Sequence, residues 1–351
     1  MTAATIDDLG GWPAILGPLT AGQDLTSNMA SAAMDAVLGG EATPAQVAAL
    51  IVGLRMKGET VEELTGLLAS MREASEVVLL PEGLVPIDTC GTGGDNAGTV
   101  NVSTMAAIIC AGAGVPVVKH GNRAASSKTG TADVLEALGV AIELGPAGVA
   151  QCVQEAGIGF CFARRFHPAM RHAGPVRLEL GIPTVFNFLG PMANPARVKR
   201  QVLGVSDAAM AERMVSVLDA LGAEHALVVY GHDGLDELTT TTTSSVFELV
   251  DGEVRTWVVD PALVGIAPAQ PSDLVGGSAD ENATALRRVV DGEAGAHRDI
   301  ALLNAAAGLM AAGVADDLPE GYQLAQASVD EGMAAAALDS LIVTSQAADQ
   351  A

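Results

Sequence analysis

Residues suited to handling phosphate esters stand together in one stretch of this chain. Asp88 to Thr104 reads Asp-Thr-Cys-Gly-Thr-Gly-Gly-Asp-Asn-Ala-Gly-Thr-Val-Asn-Val-Ser-Thr. Apolar residues from Val85 to Ile87 lead into it, and a helical pattern leaves it near Val102. Gly91 and Gly94 let backbone N–H groups come close to an anion, and a helix start adds unpaired donors and partial positive charge. Asp95, Thr99, Asn101, Val102, Ser103 and Thr104 complete the loop and the helix start. Capping alone accounts for Ser103 or Thr104. The loop and the hydroxyl-rich helix start together favour a phosphate cradle. The dinucleotide fingerprint is absent, because its last glycine would fall at Asn96.

Three further stretches carry charge. Lys119-His120-Gly121-Asn122-Arg123-Ala124-Ala125-Ser126-Ser127-Lys128-Thr129-Gly130-Thr131 follows an apolar run. A lysine at the end of a buried strand is costly unless it meets an anion, although a solvated loop has a similar composition. This is not a Walker A loop, since Ser127 stands where glycine is required. His120 alone reads more readily as structural than as catalytic. Phe162 to His172 holds Arg164, Arg165 and Arg171, and Arg177 follows. A helix starting at Pro168 would put Arg171 and Arg177 on different faces, so only some of these arginines can enter a cleft. One that does can pair a carboxylate through two hydrogen bonds. Gly231 to Glu237 ends in adjacent carboxylates, Asp236 and Glu237, which suit Mg²⁺ sharing phosphate oxygens and water. Two loop acids among 42 are otherwise ordinary solvated surface.

Elements must bring these stretches to one place. Residues 1 to about 80 read as helices only, with capping boxes at Thr43-Pro44-Ala45-Gln46 and Thr60-Val61-Glu62-Glu63 and glycines at the C-cap positions 39 and 58. From residue 85, short β-rich runs alternate with helices: Val85–Thr89, Val115–Lys119, Ile158–Phe162, Gln201–Val205 and His225–Tyr230, with helices expected over Thr131–Leu138 and Ala208–Leu221. That alternation predicts a parallel sheet flanked by helices. Asp251-Gly252 between two apolar runs predicts an antiparallel hairpin added late. The fold class is α/β, with a small helical domain over 1–83 and a larger α/β domain over 84–351. Ligands bind at the carboxyl ends of parallel strands, so the loops after Thr89, Lys119, Phe162 and Tyr230 should share one face. The run Thr239–Thr243 has no chemical reading at this level.

Composition narrows the functions. Hydrophobic residues make up 49% of 351, ample for a core. The net charge of −24 argues against a nucleic-acid binder, which needs a basic face. Ten of the 18 lysines and arginines nevertheless fall between Lys119 and Arg200, beside only five acids. A cationic cleft for a small polyanion explains that excess better than a solvated basic face. No apolar run reaches membrane-spanning length, and no signal peptide is expected at the N-terminus. Cys90, Cys110, Cys152 and Cys161 lack CxxC spacing, so free thiols in a reducing cytoplasm are expected rather than a zinc site.

Taken in order, GTGGD (91–95), NVST (101–104), KHGNRAASSKTGTADVLEALG (119–139), FARRFHPAMRHAGPVRLELG (162–181), FNFLGPMANPA (186–196) and DGLDEL (233–238) resemble the anthranilate phosphoribosyltransferases over about residues 20 to 340. Enzymes of this family join anthranilate to phosphoribosyl pyrophosphate (PRPP) in tryptophan biosynthesis. The resemblance implies that Gly91, Gly94, Asp95, Thr99 and Asn101 to Thr104 hold PRPP. Lys119 to Ser127 would close over it, with Thr131 near the phosphates. It implies Ser103, Asp236 and Glu237 around two Mg²⁺ ions. Asn122 and Arg177 would meet anthranilate, with Gly91, His120 and Pro168 in its pocket. Lys119 and Arg177 would act by positioning and charge, and no general base is assigned. A cytoplasmic homodimer through the helical domain is implied, with helices from about 168–196 packing on that domain. Thr131 stands where many members have serine, and the hydroxyl is kept. Two alternatives remain at this level. Pyrimidine nucleoside phosphorylases share the fold but lack the HPAMRH block with Arg177. A non-catalytic nucleic-acid-binding relative conflicts with the charge and with the intact acidic pair.

Overall fold

The computed structural model describes residues 4–124 and 129–350. Four helices come first: α1 (Trp12–Thr20), α2 (Ser27–Leu38), α3 (Pro44–Lys57) and α4 (Val61–Glu73). Both expected capping boxes are formed. Thr43 and Gln46 exchange side-chain-to-backbone bonds at the start of α3, as do Thr60 and Glu63 at the start of α4. Gly39 and Gly58 end α2 and α3.

A seven-stranded sheet follows in spatial order β3-β2-β1-β4-β5-β6-β7. Its strands are β1 (Ile87–Gly91), β2 (Val117–Gly121), β3 (Ile158–Phe162), β4 (Arg200–Gly204), β5 (His225–Gly231), β6 (Ser244–Val250) and β7 (Glu253–Val259). The first five are parallel and the last two antiparallel. Asp251 and Gly252 join β6 to β7 with φ of 52° and 79°, the geometry of a two-residue hairpin turn with both residues left-handed.

The helices between and after the strands are α5 (Val102–Gly112), α6 (Thr131–Ala137), α7 (Pro146–Ala156), α8 (Ala163–Phe166), α9 (Gly174–Leu180), α10 (Val185–Met192), α11 (Ala208–Ala220), α12 (Ala279–Val290), α13 (Ala296–Ala312), α14 (Leu318–Asp330) and α15 (Met333–Asp349). Pro168–His172 is a separate 3₁₀ turn. The single helix expected from Pro168 is therefore two elements, and Arg171 and Arg177 do not share an axis. Pro168 begins one element and Pro175 sits in the first turn of the next, where proline's missing N–H costs least.

Strand side chains alternate between two cores, as a period of two requires. Val202, Leu227 and Val229 join the core built with α5, α7 and α12–α15. Leu203, Ala226 and Val228 point the other way, into a core shared with α1–α4, α10 and α11. The helical domain thus covers one face of the sheet. Leu54, Leu64, Leu67 and Leu68 are fully buried there, each contributing about 1.5–3 kcal/mol relative to exposure. Arg72 of α4 ties the seam by donating to the Met192 carbonyl at 3.1 and 2.8 Å, from Nε and Nη2.

Candidate active site

Strand order reverses between β1 and β4, since β2 and β3 lie on one side and β5 on the other. Such a switch point leaves a crevice at the carboxyl ends of the strands. Gly91 and Gly204 end their strands there in register. The segment after β5 crosses directly over both. A Cβ on Gly204 would lie 1.5 Å from the Asp236 carbonyl oxygen, and one on Gly91 would lie 2.2 Å from Asp236 Oδ2. Close approach, not backbone conformation, demands glycine at these two positions. Asp236 Oδ2 in turn accepts the Gly93 N–H at 2.6 Å, so the acidic pair is fastened to the glycine loop.

Burial pushes the Asp236 carboxyl up to about 7, and nearby Asp95 adds to the effect. Glu237 keeps some exposure to the cleft, yet its dense surroundings and then Asp236 push it well above the usual carboxylate range. The Ser103 backbone N–H and Lys119 oppose that shift. Lys119 is 1% exposed, deep in β2 rather than in a loop. Its Nζ donates to the Thr89 carbonyl and, at 3.3 Å, to Ser103 Oγ. Burial lowers the ammonium, and Asp88 is the largest influence holding it up. Asp88 is itself wholly buried and raised by that burial to about 6. It accepts from Asn194 Nδ2 at 2.8 Å and from the His120 N–H at 3.1 Å.

Asp88 and Glu237 thus both act on Lys119, and Asp236 stands beside Glu237. Acids held above their ordinary range lack cationic charge, and a hard divalent cation would supply it. Ser103, Asp236 and Glu237 offer oxygen donors of the right kind. No group of three or more His, Cys, Asp or Glu able to hold a metal occurs among the described residues. A cation here would therefore complete its shell with substrate oxygens and water, the habit of Mg²⁺.

The opposite wall is aromatic and cationic. The Arg177 guanidinium lies 5.0 Å over the Phe186 ring, and no ion pair to it occurs among the described residues. The His120 and His167 rings meet at a tilt of 55°, with centroids 5.1 Å apart. Each is 5% exposed, and each leaves its buried Nε2 without a hydrogen-bond partner among the described residues. Burial drives His120 well below its ordinary value and His167 down to about 4, so both are neutral at pH 7. The carbonyls of Gly190 and Ala193 accept from the two rings.

Both walls line one cleft of about 400 Å³. Gly91, Gly94, Asp95, Thr99, Asn101, Val102, Ser103, Lys119, His120, Gly121, Asn122, Arg123, Ala124, Thr131, Arg177, Asp236 and Glu237 border it. The loops after β1, β2, β3 and β5 do share one face. Thr104 is buried behind the cleft, 3.3 Å from Thr131 through their hydroxyls. Pro168 is not in the lining, whereas its neighbours His167 and Met170 are. Asn101, not Ser103 or Thr104, is the residue at the cap of α5. Ala125, Ser126 and Ser127 lie outside the described residues. Arg123 is already paired at 2.8 Å with both Asp133 and Glu136 of α6. Those partners hold its guanidinium above the ordinary value and compete with any phosphate.

Asp88, His167, Phe186 and Gly204 were not legible as site residues. His167 and Phe186 lie inside motif blocks, but nothing local distinguishes them. Gly204 ends an apolar run at the switch point, a signal that strand order would have given.

This cleft, between a bundle of helices and a parallel sheet, defines a two-domain glycosyl transferase. Family models divide the chain in the same way. The helical bundle domain of the glycosyl transferase family matches residues 13–75, and its a/b domain matches residues 84–335. The anthranilate phosphoribosyltransferase of Roseiflexus castenholzii is 53% identical over 326 residues, covering 92% of this chain and 95% of that one. That of Azorhizobium caulinodans is 50% identical over 333 residues, covering 95% and 96%. Among solved structures, anthranilate phosphoribosyltransferase from Thermus thermophilus superposes with a TM-score of 0.89 at 40% identity, covering 95% and 99%. The Saccharomyces cerevisiae enzyme in complex with PRPP and Mg also scores 0.89, at 26% identity, covering 96% and 98%. The chain belongs to the anthranilate phosphoribosyltransferase family.

Proposed function

We propose that the cleft transfers the phosphoribosyl group of PRPP to the amine of anthranilate, releasing pyrophosphate, as a step of tryptophan biosynthesis. The observation that carries this reading is the division of the cleft. Glycine-loop donors, Lys119 and the acidic pair form one wall, and Arg177 over Phe186 forms the other. The pyrophosphate and ribose lie against Gly91, Gly94, Asp95, Thr99 and Asn101–Ser103, backed by Thr104, with His120 to Ala124 and Thr131 alongside. The carboxylate of anthranilate meets Arg177, and Asn122, His120 and Gly91 surround its ring. Ser103, Asp236 and Glu237 hold Mg²⁺, two ions per site. Bound there, Mg²⁺ neutralises charge on the leaving pyrophosphate.

The residues act mainly by placement. An aromatic amine is uncharged at neutral pH, so no strong base is needed before it attacks C1′ in line. Lys119 and the backbone donors meet the charge that gathers on the leaving group. Arg177 and the neutral histidines orient the acceptor, which converts a bimolecular encounter into a local one. A pyrimidine nucleoside phosphorylase would have no use for Arg177 at this wall.

Two further readings accompany the activity. Met56 on α3 and Leu178 on α9 are 83% and 85% exposed on neighbouring helices, which supports a homodimer through this face. All four cysteines are free and buried, which fits a reducing cytoplasm. No helix among the described residues is long and apolar enough to cross a membrane.

The test is direct. The protein is incubated with PRPP, Mg²⁺ and anthranilate, and anthranilate fluorescence is followed. Its loss, dependent on all three, is the expected result. Folded protein that leaves the fluorescence unchanged would refute the proposal.

A further inference from the structure

The geometry points to Asn282 as a positioning residue for the phosphoribosyl donor, an inference that rests on the function just proposed. Asn282 lies in α12, remote in sequence from every motif of the cleft, and is 3% exposed. It closes a ring of hydrogen bonds. Its Nδ2 donates to Asn101 Oδ1 at 2.8 Å. Asn101 Nδ2 donates to the Thr129 carbonyl at 3.4 Å. Thr129 Oγ1 donates to the Gly277 carbonyl at 2.8 Å, and the Gly277 N–H returns to Asn282 Oδ1 at 2.6 Å.

The ring allows only one orientation of the two amides. A backbone carbonyl only accepts, so Asn101 must turn its Nδ2 to Thr129 and its Oδ1 to Asn282. Asn282 must then offer Nδ2, leaving Oδ1 for the Gly277 N–H. Flipping either amide breaks two bonds at a part-buried place, where each unmet polar group costs about 1 kcal/mol.

The ring joins two stretches that border the donor. Asn101 heads the helix start after the glycine loop, and Thr129 sits in the loop after β2. Backbone pairing on the reverse side strengthens the join. The Gly276 N–H donates to the Gly98 carbonyl at 2.8 Å, and the Val100 N–H donates to the Leu274 carbonyl at 3.0 Å. Thr99 bridges Val275. Gly276 has no room for a side chain, because a Cβ there would lie 2.6 Å from Asn282 Oδ1. Segment 274–282 thus fixes both substrate loops from behind without lining the cleft. Asn282 itself borders a second, more open cavity of about 850 Å³. It acts through Asn101 and Thr129, so its effect belongs to donor affinity and not to the acceptor.

Asn282→Asp is the informative variant. It keeps shape and the acceptor for Gly277, but turns an oxygen toward Asn101 Oδ1. PRPP affinity is measured by calorimetry with Mg²⁺, alongside both KM values, kcat and Tm, and Asn282→Ala is run beside it. The expected result is a PRPP Kd and KM raised about 10-fold, the size of one lost hydrogen bond, with anthranilate KM at saturating PRPP changed less than about 2-fold. Adding Asn101→Ala to Asn282→Asp should weaken PRPP binding by less than the sum of the single effects. A lowered Tm with PRPP affinity unchanged in Asn282→Asp would overturn the inference, as would strict additivity. Wild-type protein that binds no PRPP and consumes no anthranilate would instead refute the function on which it rests, and the inference with it.

Discussion

Gly204 runs so close beneath Asp236 that a single methyl group on it would overlap the Asp236 carbonyl, at 1.5 Å. The same methyl on Gly91 would meet the Asp236 carboxylate oxygen at 2.2 Å. The first clash is with backbone and cannot be relieved by rotating a side chain. The second can be relieved in part. Gly204→Ala is therefore expected to lower kcat/KM by about 100-fold or more, the usual cost of a misplacement near 1 Å, and Gly91→Ala by less. Steady-state kinetics on both variants checks the ranking, and the reverse order would contradict it.

Arg177→Ala should raise the anthranilate KM by about 10- to 100-fold, as expected for losing a charge-assisted pair. The PRPP KM should stay within about 2-fold, because the donor wall carries its own cation in Lys119. Equal effects on the two substrates would remove Arg177 from the acceptor pocket.

Asp236→Asn combined with Glu237→Gln separates metal binding from folding. Both carboxyls are raised by burial, so their ionised forms oppose folding above their folded values. Neutral amides should leave the metal-free Tm unchanged or higher at pH 8. The rise in Tm produced by Mg²⁺ with PRPP should disappear, along with the dependence of activity on Mg²⁺. A metal-dependent rise that survives in the double variant would place the ion elsewhere.

Glu248 supplies the pH dependence. It is 1% exposed in β6 and accepts from Arg255 Nε at 2.8 Å and from Trp257 Nε1 at 2.8 Å, with His225 Nε2 at 3.1 Å. Although burial raises it, these bonds from His225, Arg255 and Trp257 win and bring the carboxyl down to about 2. A depressed carboxyl stabilises fully above its unfolded value and loses that contribution as pH falls toward the folded one. The stabilisation is about 2–3 kcal/mol at pH 7 and fades between about pH 4.5 and 2. Chemical denaturation of Glu248→Gln against wild type should show a stability gap at pH 6 that narrows by pH 3. A constant gap would mean that the bonds, not the charge, carry the effect.

The architecture was open to the sequence wherever its signals were local. Capping boxes at Thr43 and Thr60, the Asp251-Gly252 turn and the alternation of strands with helices each act over a few residues, and each is present in the fold. The segment after Phe166 was harder. Pro168 reads as a helix start, and it does start a turn, but a new helix begins at Gly174, with Pro175 in its first turn, and divides the arginines. The partners of the site were hidden for a different reason. Asp88 finds Asn194 across 106 residues, and Asn282 finds Asn101 across 181. No periodicity within one element can show such a pair. Arg123 shows the opposite error, since its neighbours at 133 and 136 were visible but its pairing with them was not. The threonine run gains a physical account. Thr239 donates to Asp233 Oδ2 at 2.6 Å, and Thr241 donates to the same oxygen. The run therefore braces the turn that ends in Asp236 and Glu237.

Arg72 grips the end of α10 at the Met192 carbonyl, and that helix begins beside the ring under Arg177. The helix that carries Phe186 is thus tied to the helical bundle, while Lys119 and the acidic pair belong to the sheet and its loops. On the proposed placement of the substrates, the distance between nucleophile and C1′ depends on the seam as much as on the cleft residues. A substitution along that seam can detune turnover while each substrate still binds as tightly as before, a phenotype that inspection of the cleft alone would leave without a cause.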